Sequence, residues 1–413
     1  MINYKKAQKI LLNSKIKIQS ETILVKDSIN RVSAKDVLSP SNYPAGNNTA
    51  FDGYAINSKD TIKLNSKNEK KFKILKTLAA GDNPNLKKVK KNSAIEVMTG
   101  ALILKPFDTI IPIESIKYFP NNRNPKFIII SKKIMKNNYI RYLGSDYKKG
   151  EKIISKGELI NPSHLLAFKS LGINKIYVKK KPKIIFYSTG NEISEKKKLP
   201  PWKVRNSNSH YIKSLSKNSF FDIFDGGTLR DKDEKLFKKL ISKIFKKKID
   251  IIITNGAVSA GKFDFVPKII KEFKLEKYFK GVAIRPGKPV MFAKFKNKNK
   301  CFFGLPGNPI SSAACFKFFV YNYLRLILNM KKEKPFKARL KKNYNKKKLF
   351  TRFLKSKISI NSRGLMEVDV LKGQESFRIK SLTEANSWAV FKSGKKNFKK
   401  GELIECFKAL GIV

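Results

Sequence analysis

One stretch, Asp250 to Asp264, restricts the folds open to this chain more than any other; it reads D-I-I-I-T-N-G-A-V-S-A-G-K-F-D. Its first four residues predict a buried strand, and from Phe265 onward apolar residues recur at helical spacing. Gly256 and Gly261 allow the loop between strand and helix to turn tightly and to direct backbone N–H groups at an anion. The aspartate that ends the stretch could cap the helix or hold a metal beside that anion. Loops of this kind also end many strands for structural reasons alone.

The region around this stretch alternates between predicted strands and predicted helices. The strands are predicted at 176–178, 184–186, 221–224 and 250–253, and the helices at 209–215 and 233–245. Such alternation indicates parallel strands joined by crossover helices, an α/β layer. Ligands bind at the carboxyl ends of the strands in sheets of this type. Thr189 to Glu192, Asp231 and the loop after Thr254 all follow predicted strands, so we expect them to lie along one edge of the sheet.

A second group of polar residues lies downstream. Arg285-Pro286-Gly287-Lys288-Pro289 places two cations on a loop that two prolines stiffen, and rigid cations suit an oxyanion because little side-chain freedom is lost on binding. Asn308-Pro309 is typical of a helix start, ahead of an apolar helix predicted over 311–328. The lysine-rich residues 331–348 read as a linker.

The C-terminal residues predict a small β domain. Its strands are expected at 353–360, 365–371, 387–391 and 403–407. A run of strands without intervening helices favours a small barrel or a sandwich.

The N-terminal half predicts an amphipathic helix over 4–13 and then mainly short strands. Asp52-Gly53 is a good turn signal, although small polar residues around one carboxylate also suit a ligand contact. Thr99-Gly100 ends a predicted strand, where such a hydroxyl more often caps a turn than binds substrate. A short helix is predicted over 162–171, and His164 in its first turn is interpreted as a solvated side chain.

Composition excludes several classes of protein. A chain of 413 residues is long for one core and predicts two to four domains. Cys301, Cys315 and Cys406 are too few and too widely spaced for a disulfide framework or a zinc knuckle, which favours a cytoplasmic protein. Two histidines rule out a multi-histidine metal site. No run of about 18 apolar residues occurs, so no membrane span is expected.

The charge of the chain is extreme, with 90 basic and 31 acidic residues and a formal net charge of +59. Such a surface would attract nucleic-acid phosphates. The basic residues are mostly lysines spread along the chain, however, and they accompany an excess of Ile, Asn and Phe, all of which have A/T-rich codons. Because no nucleic-acid-binding motif is present, we interpret the charge as coding bias and do not expect a nucleic-acid partner.

The ordered set of motifs resembles the MoeA family, the molybdopterin molybdenumtransferases, whose eukaryotic relatives include the C-terminal region of gephyrin. Nine blocks over nearly the whole chain carry the resemblance: 48–55, Ala80-Gly81, 98–101, Gly144-Ser145-Asp146, 188–192, Asn206-Ser207-Asn208, 256–261 with Asp264, 285–289 and 305–311. Single blocks are common, but nine in this order are highly specific.

The resemblance implies a multidomain α/β plus β fold with four domains. An elongated helical part would comprise 1–24 and 141–178, a β-rich insert 25–140, a molybdopterin-binding α/β domain with a parallel-type sheet 179–330, and a β-barrel 331–413. It also implies a homodimer with active sites at the subunit interface, where Asp52 and Thr99 of one chain would face the α/β domain of the other. The implied reaction inserts molybdate into adenylyl-molybdopterin and releases AMP. Other cofactor-biosynthesis proteins are conceivable partners.

The resemblance also implies roles for individual residues. Glu192, Asp231 and Asp264 would hold Mg²⁺ and act catalytically with Asp52 and Thr99, and Asp146 would help. The loop after the central strand would hold the phosphate end of the pterin, and the downstream cations would cradle molybdate. The residues implied to bind substrate are Thr189, Gly190, Gly256, Ser259, Gly261, Arg285, Lys288, Pro289, Ser311, Arg352 and Ser376, with Arg378 near the anion.

Several positions depart from the family pattern. Asn191 replaces the aspartate usual before Glu192, which removes one carboxylate from the metal side. Ala257 stands where a second glycine is common, and Arg285 where lysine is common. Leu102, Leu104 and Pro106 interrupt the usual proline and glycine pattern, so the loop of the insert would differ in shape.

Three alternative functions remain open from the sequence. A basic scaffold or nucleic-acid-binding protein could retain this fold, because fold alone does not fix function. Adenylylation of molybdopterin, the preceding step, is disfavoured because that enzyme resembles the α/β part only. Tungstate could replace molybdate, since the two oxyanions are nearly equal in size and charge.

Overall fold

The computed structural model describes residues 1–65, 67–86, 89–258 and 265–410. The chain forms two compact units. The first comprises Met1–Lys35, Lys156–Asn161 and Lys175–Val413, and the second comprises Asp36–Ser155 and Pro162–Asn174. Within the described residues, no helix combines the length and hydropathy that a membrane crossing requires.

A six-stranded sheet forms the centre of the first unit. In spatial order its strands are Asp222–Leu229, Lys183–Thr189, Ile251–Asn255, Cys301–Leu305, Met291–Phe295 and Leu275–Lys280. The first four strands are parallel to one another, the type of pairing that the alternation predicted, and Met291–Phe295 runs antiparallel to both of its neighbours. The predicted strand at 176–178 does not join this sheet, whereas Cys301–Leu305 joins it without having been predicted. The turn over 296–300 is too short for a crossover, so the strands on either side of it must pair antiparallel.

The apolar run at the centre of this sheet is explained by burial on both faces. Ile251 and Ile253 belong to one hydrophobic cluster, which also contains Ile212 from a helix. Ile252 points to the opposite face and packs in a second cluster with Phe237 and Ile241 of another helix. Alternate residues of the strand therefore face different helix layers, which is typical of a parallel sheet covered on both sides.

The helices of the first unit lie close to their predicted positions, except Lys380–Thr383, which lies where a run of strands without helices was predicted. They are Tyr4–Leu12, Ser207–Ser214, Glu234–Phe245, Val266–Lys271, Pro309–Cys315, Asn322–Ile327 and Lys380–Thr383, with a 3-10 turn at Val25–Asp27. The helix that begins at Pro309 continues into Asn322–Ile327 through a π-helical segment, Phe316–Tyr321. Asn3 caps the first helix, because its side chain accepts a hydrogen bond from the Lys6 N–H at 2.8 Å. A strand pair, Ser20–Leu24 with Lys175–Lys179, also belongs to this unit.

A closed five-stranded barrel forms the C-terminal part. Its strands, in order around the barrel, are Thr351–Ile360, Met366–Val370, Phe336–Leu340, Leu403–Lys408 and Ser387–Phe391, and the last pairs with the first. The prediction of a linker over 331–348 was wrong, because Phe336–Leu340 lies within it. Ala338 and Leu340 of this strand are buried, while the basic residues Lys337 and Arg339 are exposed. Two short strand pairs complete the unit. Tyr344–Asn345 pairs with Asn397–Phe398 in the barrel region. Ile193–Ser194 pairs with Val204–Arg205 in the α/β region.

The second unit is mainly β structure. The strands of its six-stranded sheet, in spatial order, are Thr109–Pro112, Gly53–Ile56, Ser93–Val97, Lys70–Leu78, Phe127–Ile130 and Lys117–Phe119. Two smaller pairs are Val37–Leu38 with Lys152–Ile154 and Asn48–Thr49 with Ile140–Arg141. Helical segments are Pro162–Ser170 and two 3-10 turns, Ser58–Thr61 and Ile113–Ser115.

Candidate functional site

The carboxyl ends of three parallel strands bring one group of predicted residues together. We call these residues the rim: Thr189, Gly190, Glu192, Asp231 and Gly256. Thr189 pairs with Leu229 across the first two strands. The Thr189 hydroxyl donates a hydrogen bond to the Asn255 carbonyl at 3.0 Å, which links the second strand to the third. The predicted common edge of the sheet is therefore present for these residues.

Any residue larger than glycine at position 256 would displace Thr189. Its φ is +99°, and a Cβ atom there would lie 2.6 Å from both the carbonyl and the hydroxyl oxygen of Thr189. Ala257, the next residue, also has a positive φ, +52°. An alanine in this left-handed region costs roughly 1–2 kcal/mol, which gives a physical reason why glycine suits this position.

An amide–carboxylate contact joins the loops that follow the first two strands. The Asn191 side-chain N–H donates to Asp231 Oδ2 at 2.7 Å, and the Asp231 N–H donates to Asn191 Oδ1 at 3.2 Å. Arg230 stabilises the same loop, because its guanidinium donates hydrogen bonds to the carbonyls of Gly190 at 2.9 Å and Ile193 at 2.7 Å. Asn191, which departs from the family pattern, therefore holds Asp231 through a neutral side-chain amide, where an aspartate would repel it.

Glu192 lies against Gly190, since a Cβ atom on that glycine would fall 2.3 Å from Glu192 Oε2. Its carboxylate is exposed. Among the described residues, no three His, Cys, Asp or Glu side chains are grouped closely enough to hold a metal ion. Ser259, Gly261 and Asp264 lie outside the described residues, so the ligand set Glu192, Asp231 and Asp264 stays a prediction. Hard oxygen ligands of this type suit Mg²⁺.

A network of side-chain amides underlies the rim. Sequence reasoning named Asn206-Ser207-Asn208 as a motif but did not predict the network. Asn255 is buried and donates to the Pro306 carbonyl at 2.6 Å and to the Ser312 hydroxyl at 2.9 Å. Asn208 donates to Asn255 Oδ1 at 2.7 Å and to the Gly307 carbonyl at 2.6 Å. One feature of the sequence could have indicated the network: Asn255 places an amide at the end of an otherwise apolar, buried strand. A buried amide needs hydrogen-bond partners.

The second group of predicted residues lines one cavity of about 570 Å³, which we call the cation cavity. Its lining residues are Arg285, Pro286, Gly287, Lys288, Pro289, Ser311, Arg352, Gln374, Glu375, Ser376 and Phe377. Of the five residues implied to lie near the oxyanion, Arg285, Lys288, Arg352 and Ser376 are among them, and Arg378 is not. Pro289 and Ser311, which the resemblance implies to bind substrate, also line the cavity. Three of the lining residues are cations and one is a carboxylate, Glu375, which pairs with Arg378 at 3.1 Å.

Strand pairing places two of the cations side by side. Ile284–Arg285 runs parallel to the start of the first barrel strand, and Arg285 is the register partner of Arg352. The Arg285 guanidinium carbon lies 4.8 Å from the centre of the Phe350 ring. The backbone N–H of Ile310 donates to the Ser376 carbonyl at 3.2 Å, which fixes the loop that carries Ser376 beside the helix that carries Ser311.

The Arg352 side chain, which lines the cavity, has one unpaired donor. Its Nε atom is buried and has no hydrogen-bond partner among the residues that the structure describes. A buried unpaired donor is unfavourable by about 1–3 kcal/mol. Among the described residues, the cavity thus combines neighbouring guanidinium groups, an ammonium group and hydroxyls, a donor set that fits a tetrahedral oxyanion.

Asp52 and Thr99 form a separate contact in the second unit. Both the Thr99 N–H and its hydroxyl donate to Asp52 Oδ1, at 2.6 and 2.7 Å. The two residues meet because Gly53 pairs with Val97 in adjacent antiparallel strands. The Thr99 hydroxyl, and next its backbone N–H, lower the pKa of Asp52 below the ordinary value, so this exposed carboxylate stays ionised. Thr99 acts here as a turn hydroxyl that orients a carboxylate.

Comparison with known families matches three models to successive parts of the chain. They are the MoeA N-terminal region (domain I and II) at residues 2–172, a probable molybdopterin binding domain at 185–326, and the MoeA C-terminal region (domain IV) at 337–408. Curated proteins named molybdopterin molybdenumtransferase from Staphylococcus epidermidis and Staphylococcus aureus are each 29% identical to this chain, over 412 and 410 residues. Each alignment spans 98% of this chain and 94% of the relative.

Solved structures agree with the sequence comparison. Two structures of the molybdopterin biosynthesis MoeA protein from Pyrococcus horikoshii superpose with TM-scores of 0.82 and 0.81 at 26% identity. They cover 98% and 100% of this chain, and 99% and 100% of their own length. The resemblance inferred from the motifs is confirmed: with three consecutive family models and a common fold over almost its whole length, the chain belongs to the MoeA family of molybdenum cofactor biosynthesis proteins.

Proposed function

We propose that this protein catalyses the Mg²⁺-dependent insertion of molybdate into adenylyl-molybdopterin, with release of AMP. The observation that carries the proposal is the cation cavity, where four of the five residues implied to lie near the oxyanion, Arg285, Lys288, Arg352 and Ser376, line a single space. The names of the curated relatives support the same reaction class. Molybdate is the substrate of this site, and the pterin phosphate is assigned to the loop after Asn255.

The cavity residues hold the dianion and keep it in place. The Arg285 guanidinium carbon lies 4.8 Å from the centre of the Phe350 ring, and Arg285 is the register partner of Arg352, so the backbone pairing places the two cations next to each other before the anion arrives. Preorganised donors of this kind lose little freedom on binding. When two dithiolene thiols bind molybdenum, one oxide of molybdate leaves as water, and the cavity cations stabilise the remaining negative charge.

The rim carboxylates supply the other half of the site. Glu192 and Asp231 would hold Mg²⁺, together with Asp264 from outside the described residues. When bound, the metal would neutralise charge on the phosphoanhydride that one water molecule cleaves to release AMP. Asn191 keeps Asp231 beside Glu192 through the 2.7 Å hydrogen bond to Asp231 Oδ2.

The first experiment is an assay of AMP release from adenylyl-molybdopterin with Mg²⁺ and molybdate. Glu192→Gln and Asp264→Ala should each lower the rate about 100-fold or more, because each removes a carboxylate from the charge-neutralising set. Glu384→Gln, at an exposed position on the barrel side of the chain, serves as the matched control.

The outcomes of this assay separate the alternatives. AMP release that depends on molybdate and is lost in Glu192→Gln supports the proposal. Formation of adenylyl-molybdopterin from ATP and molybdopterin would indicate the preceding step instead. Equal rates with tungstate would widen the substrate class. Absence of AMP release combined with retention of short nucleic acids at moderate salt would favour the scaffold function.

We also propose a homodimer in which Asp52 and Thr99 of one subunit complete the site of the other. Light scattering after size exclusion should give twice the chain mass of 47.2 kDa. Mixing Asp52→Asn with Glu192→Gln subunits should restore roughly a quarter of wild-type activity, because mixed dimers keep one intact site. Two inactive variants that do not complement each other would contradict the shared site.

We propose the four domains that the resemblance implies: 1–24 with 141–178, 25–140, 179–330 and 331–413. We also propose a cytoplasmic location. The compact units divide the N-terminal half at other residues, between Lys35 and Asp36 and between Ser155 and Lys156. Limited proteolysis followed by mass determination of the fragments would locate the boundaries that unfold independently.

A further inference from the structure

A fully buried lysine stands behind one wall of the cation cavity. Lys355 lies on the first barrel strand with 0% of its surface exposed. Its ammonium group donates to the carbonyl of Gly373 at 2.7 Å and to the carbonyl of Arg378 at 2.8 Å. These two carbonyls bracket the loop residues 374–377, all of which line the cavity.

The same loop is tied to the strand by neutral hydrogen bonds. The Gln374 side chain accepts from the Lys355 N–H at 3.1 Å and donates to the Lys355 carbonyl at 2.8 Å. The Ser381 hydroxyl, which is also buried, donates to the Gly373 carbonyl at 2.8 Å. Residues 371–379 contain neither strand nor helix, so these side chains replace the regular backbone bonding that would otherwise hold a loop.

A second buried lysine holds the segment that carries Phe350, whose ring lies beside the cavity residue Arg285. Lys346 is 5% exposed, and its ammonium group donates to the Phe350 carbonyl at 3.0 Å. The Phe350 ring is the surface on which the Arg285 guanidinium lies. Lys346 therefore fixes the residue that orients Arg285, as Lys355 fixes the loop that carries Ser376.

We propose that Lys355 and Lys346 are positioning residues that hold the two walls of the cation cavity at the spacing required by a tetrahedral oxyanion. Burying an ammonium group is unfavourable unless its donors are satisfied, and here the acceptors identified are loop carbonyls. Burial lowers the pKa of Lys355 to about 8, and Glu375 and Arg378 of the same loop shift it in opposite directions, so the lysine is charged at neutral pH. Charged donors bind carbonyls more strongly than neutral ones do, which makes a lysine a better anchor than a serine.

The proposal rests on the proposed function, because it assumes that the cavity binds molybdate. The test therefore measures the walls and the ligand separately, in Lys355→Met, Lys346→Met and the control Lys395→Met. Lys395 is an exposed barrel lysine paired with Glu402. Hydrogen–deuterium exchange followed by mass spectrometry reports on residues 371–381 and 346–352, and calorimetry reports the molybdate Kd.

Each variant should affect its own wall. Lys355→Met should speed exchange in 371–381 about tenfold and leave 346–352 unchanged, while Lys346→Met should do the reverse, because each loses one charge-assisted anchor. Both should raise the molybdate Kd about tenfold, with the KM for molybdate rising and kcat changing less. Lys395→Met should match the wild type in every readout.

Three results would overturn the proposal: exchange that is unchanged in the expected peptide, faster exchange throughout the barrel, or local loosening without loss of molybdate affinity. If Lys355→Met does not fold, Ser381→Ala removes a weaker anchor on the same carbonyl and should speed exchange in 371–381 a few-fold. Absence of change there would count equally against the proposal. Wild-type protein that binds no molybdate would refute the proposed function, while the exchange measurements would still decide whether the lysines hold the walls.

Discussion

The rim and the cation cavity belong to the same compact unit, yet they hold charged groups by opposite means. At the rim, Glu192 is exposed, and Asp231 is held through one neutral amide contact from Asn191. In the cavity, Arg285 is also exposed, but its guanidinium carbon lies 4.8 Å from the centre of the Phe350 ring, and Nε of Arg352 is buried. The difference matches the groups proposed to bind there. Carboxylates can move to meet a metal, whereas a rigid tetrahedral dianion is bound best by donors that are already in place.

The strongest test of this difference is the removal of one fixed cation. Arg285→Gln should lower molybdate-dependent AMP release by about 100- to 1,000-fold, because a preorganised charged donor is lost. Calorimetry should show the matching loss of molybdate binding, while the melting temperature should change little. Arg363→Gln, at an exposed turn of the barrel, is the matched control. Retention of molybdate affinity in Arg285→Gln would show that the cavity does not depend on fixed cations.

The rim depends instead on close backbone approach, which Gly256→Ala would break. The added Cβ would lie 2.6 Å from the Thr189 carbonyl, in a residue with φ +99°. We expect a loss of about 2–4 kcal/mol in the free energy of unfolding, from steric displacement and backbone strain together. Gly394→Ala separates the two causes, because Gly394 has φ +95° and open space around it. Urea unfolding of both variants should give a clearly larger loss for Gly256→Ala.

The two regions also differ in how well the sequence predicts them. The rim follows from local patterns, since each residue was predicted at a strand end or in the loop after a strand, and parallel strands end at one edge. Arg285 and Lys288 were predicted from their own loop. The resemblance supplied Arg352 and Ser376, because the pairing of Ile284–Arg285 with the barrel is non-local and no periodicity specifies it. Lys355 and Phe350 were missed for the same reason: their contacts become apparent only when the barrel closes.

The barrel also shows how composition can hide a pattern. The strand Phe336–Leu340 alternates between buried and exposed residues, but lysine-rich residues on both sides made it look like a linker. Charged residues on the outward face of a strand do not oppose burial of the other face. Alternation over the five residues was therefore the better guide to structure than the charge of the whole segment.

The buried lysine behind the cavity predicts a dependence of stability on pH. The pKa of Lys355 is lowered from 10.5 to about 8 by burial, so in this interval the unfolded chain binds a proton that the native chain does not. Stability should therefore increase as pH rises from about 8 to 10.5, and the unfavourable contribution is complete below about pH 8. Denaturant unfolding of the wild type minus that of Lys355→Met, measured across this range, should show the rise. Lys395→Met in place of Lys355→Met should show no comparable slope.

The contact between Asn191 and Asp231 at the rim should become a stronger metal site when the amide is replaced by a carboxylate. In Asn191→Asp, two carboxylates would meet where Asn191 now donates to Asp231 at 2.7 Å. Repulsion between them should be relieved by a divalent cation, so half-maximal AMP release should need about three- to tenfold less Mg²⁺. Asn122→Asp, at an exposed position in the second unit, is the control. An unchanged Mg²⁺ requirement would mean that the metal does not bind beside Asp231.

The smallest effect is expected for Ala257→Gly, which separates backbone strain at the rim from a role of that strain in the reaction. Ala257 has φ +52°, and glycine adopts this conformation without the steric contact of a Cβ atom. Ala257→Gly should relieve roughly 1–2 kcal/mol of strain but give the unfolded chain about 0.4–1 kcal/mol of additional entropy, so a net gain of about 0.5–1 kcal/mol is expected. Urea unfolding measures this gain, and AMP release should stay within about twofold of the wild type if the alanine is only a tolerated departure. A more stable variant with much lower activity would instead mean that the strained backbone at Ala257 contributes to the reaction, and the rim would then resemble the cavity in depending on a fixed arrangement.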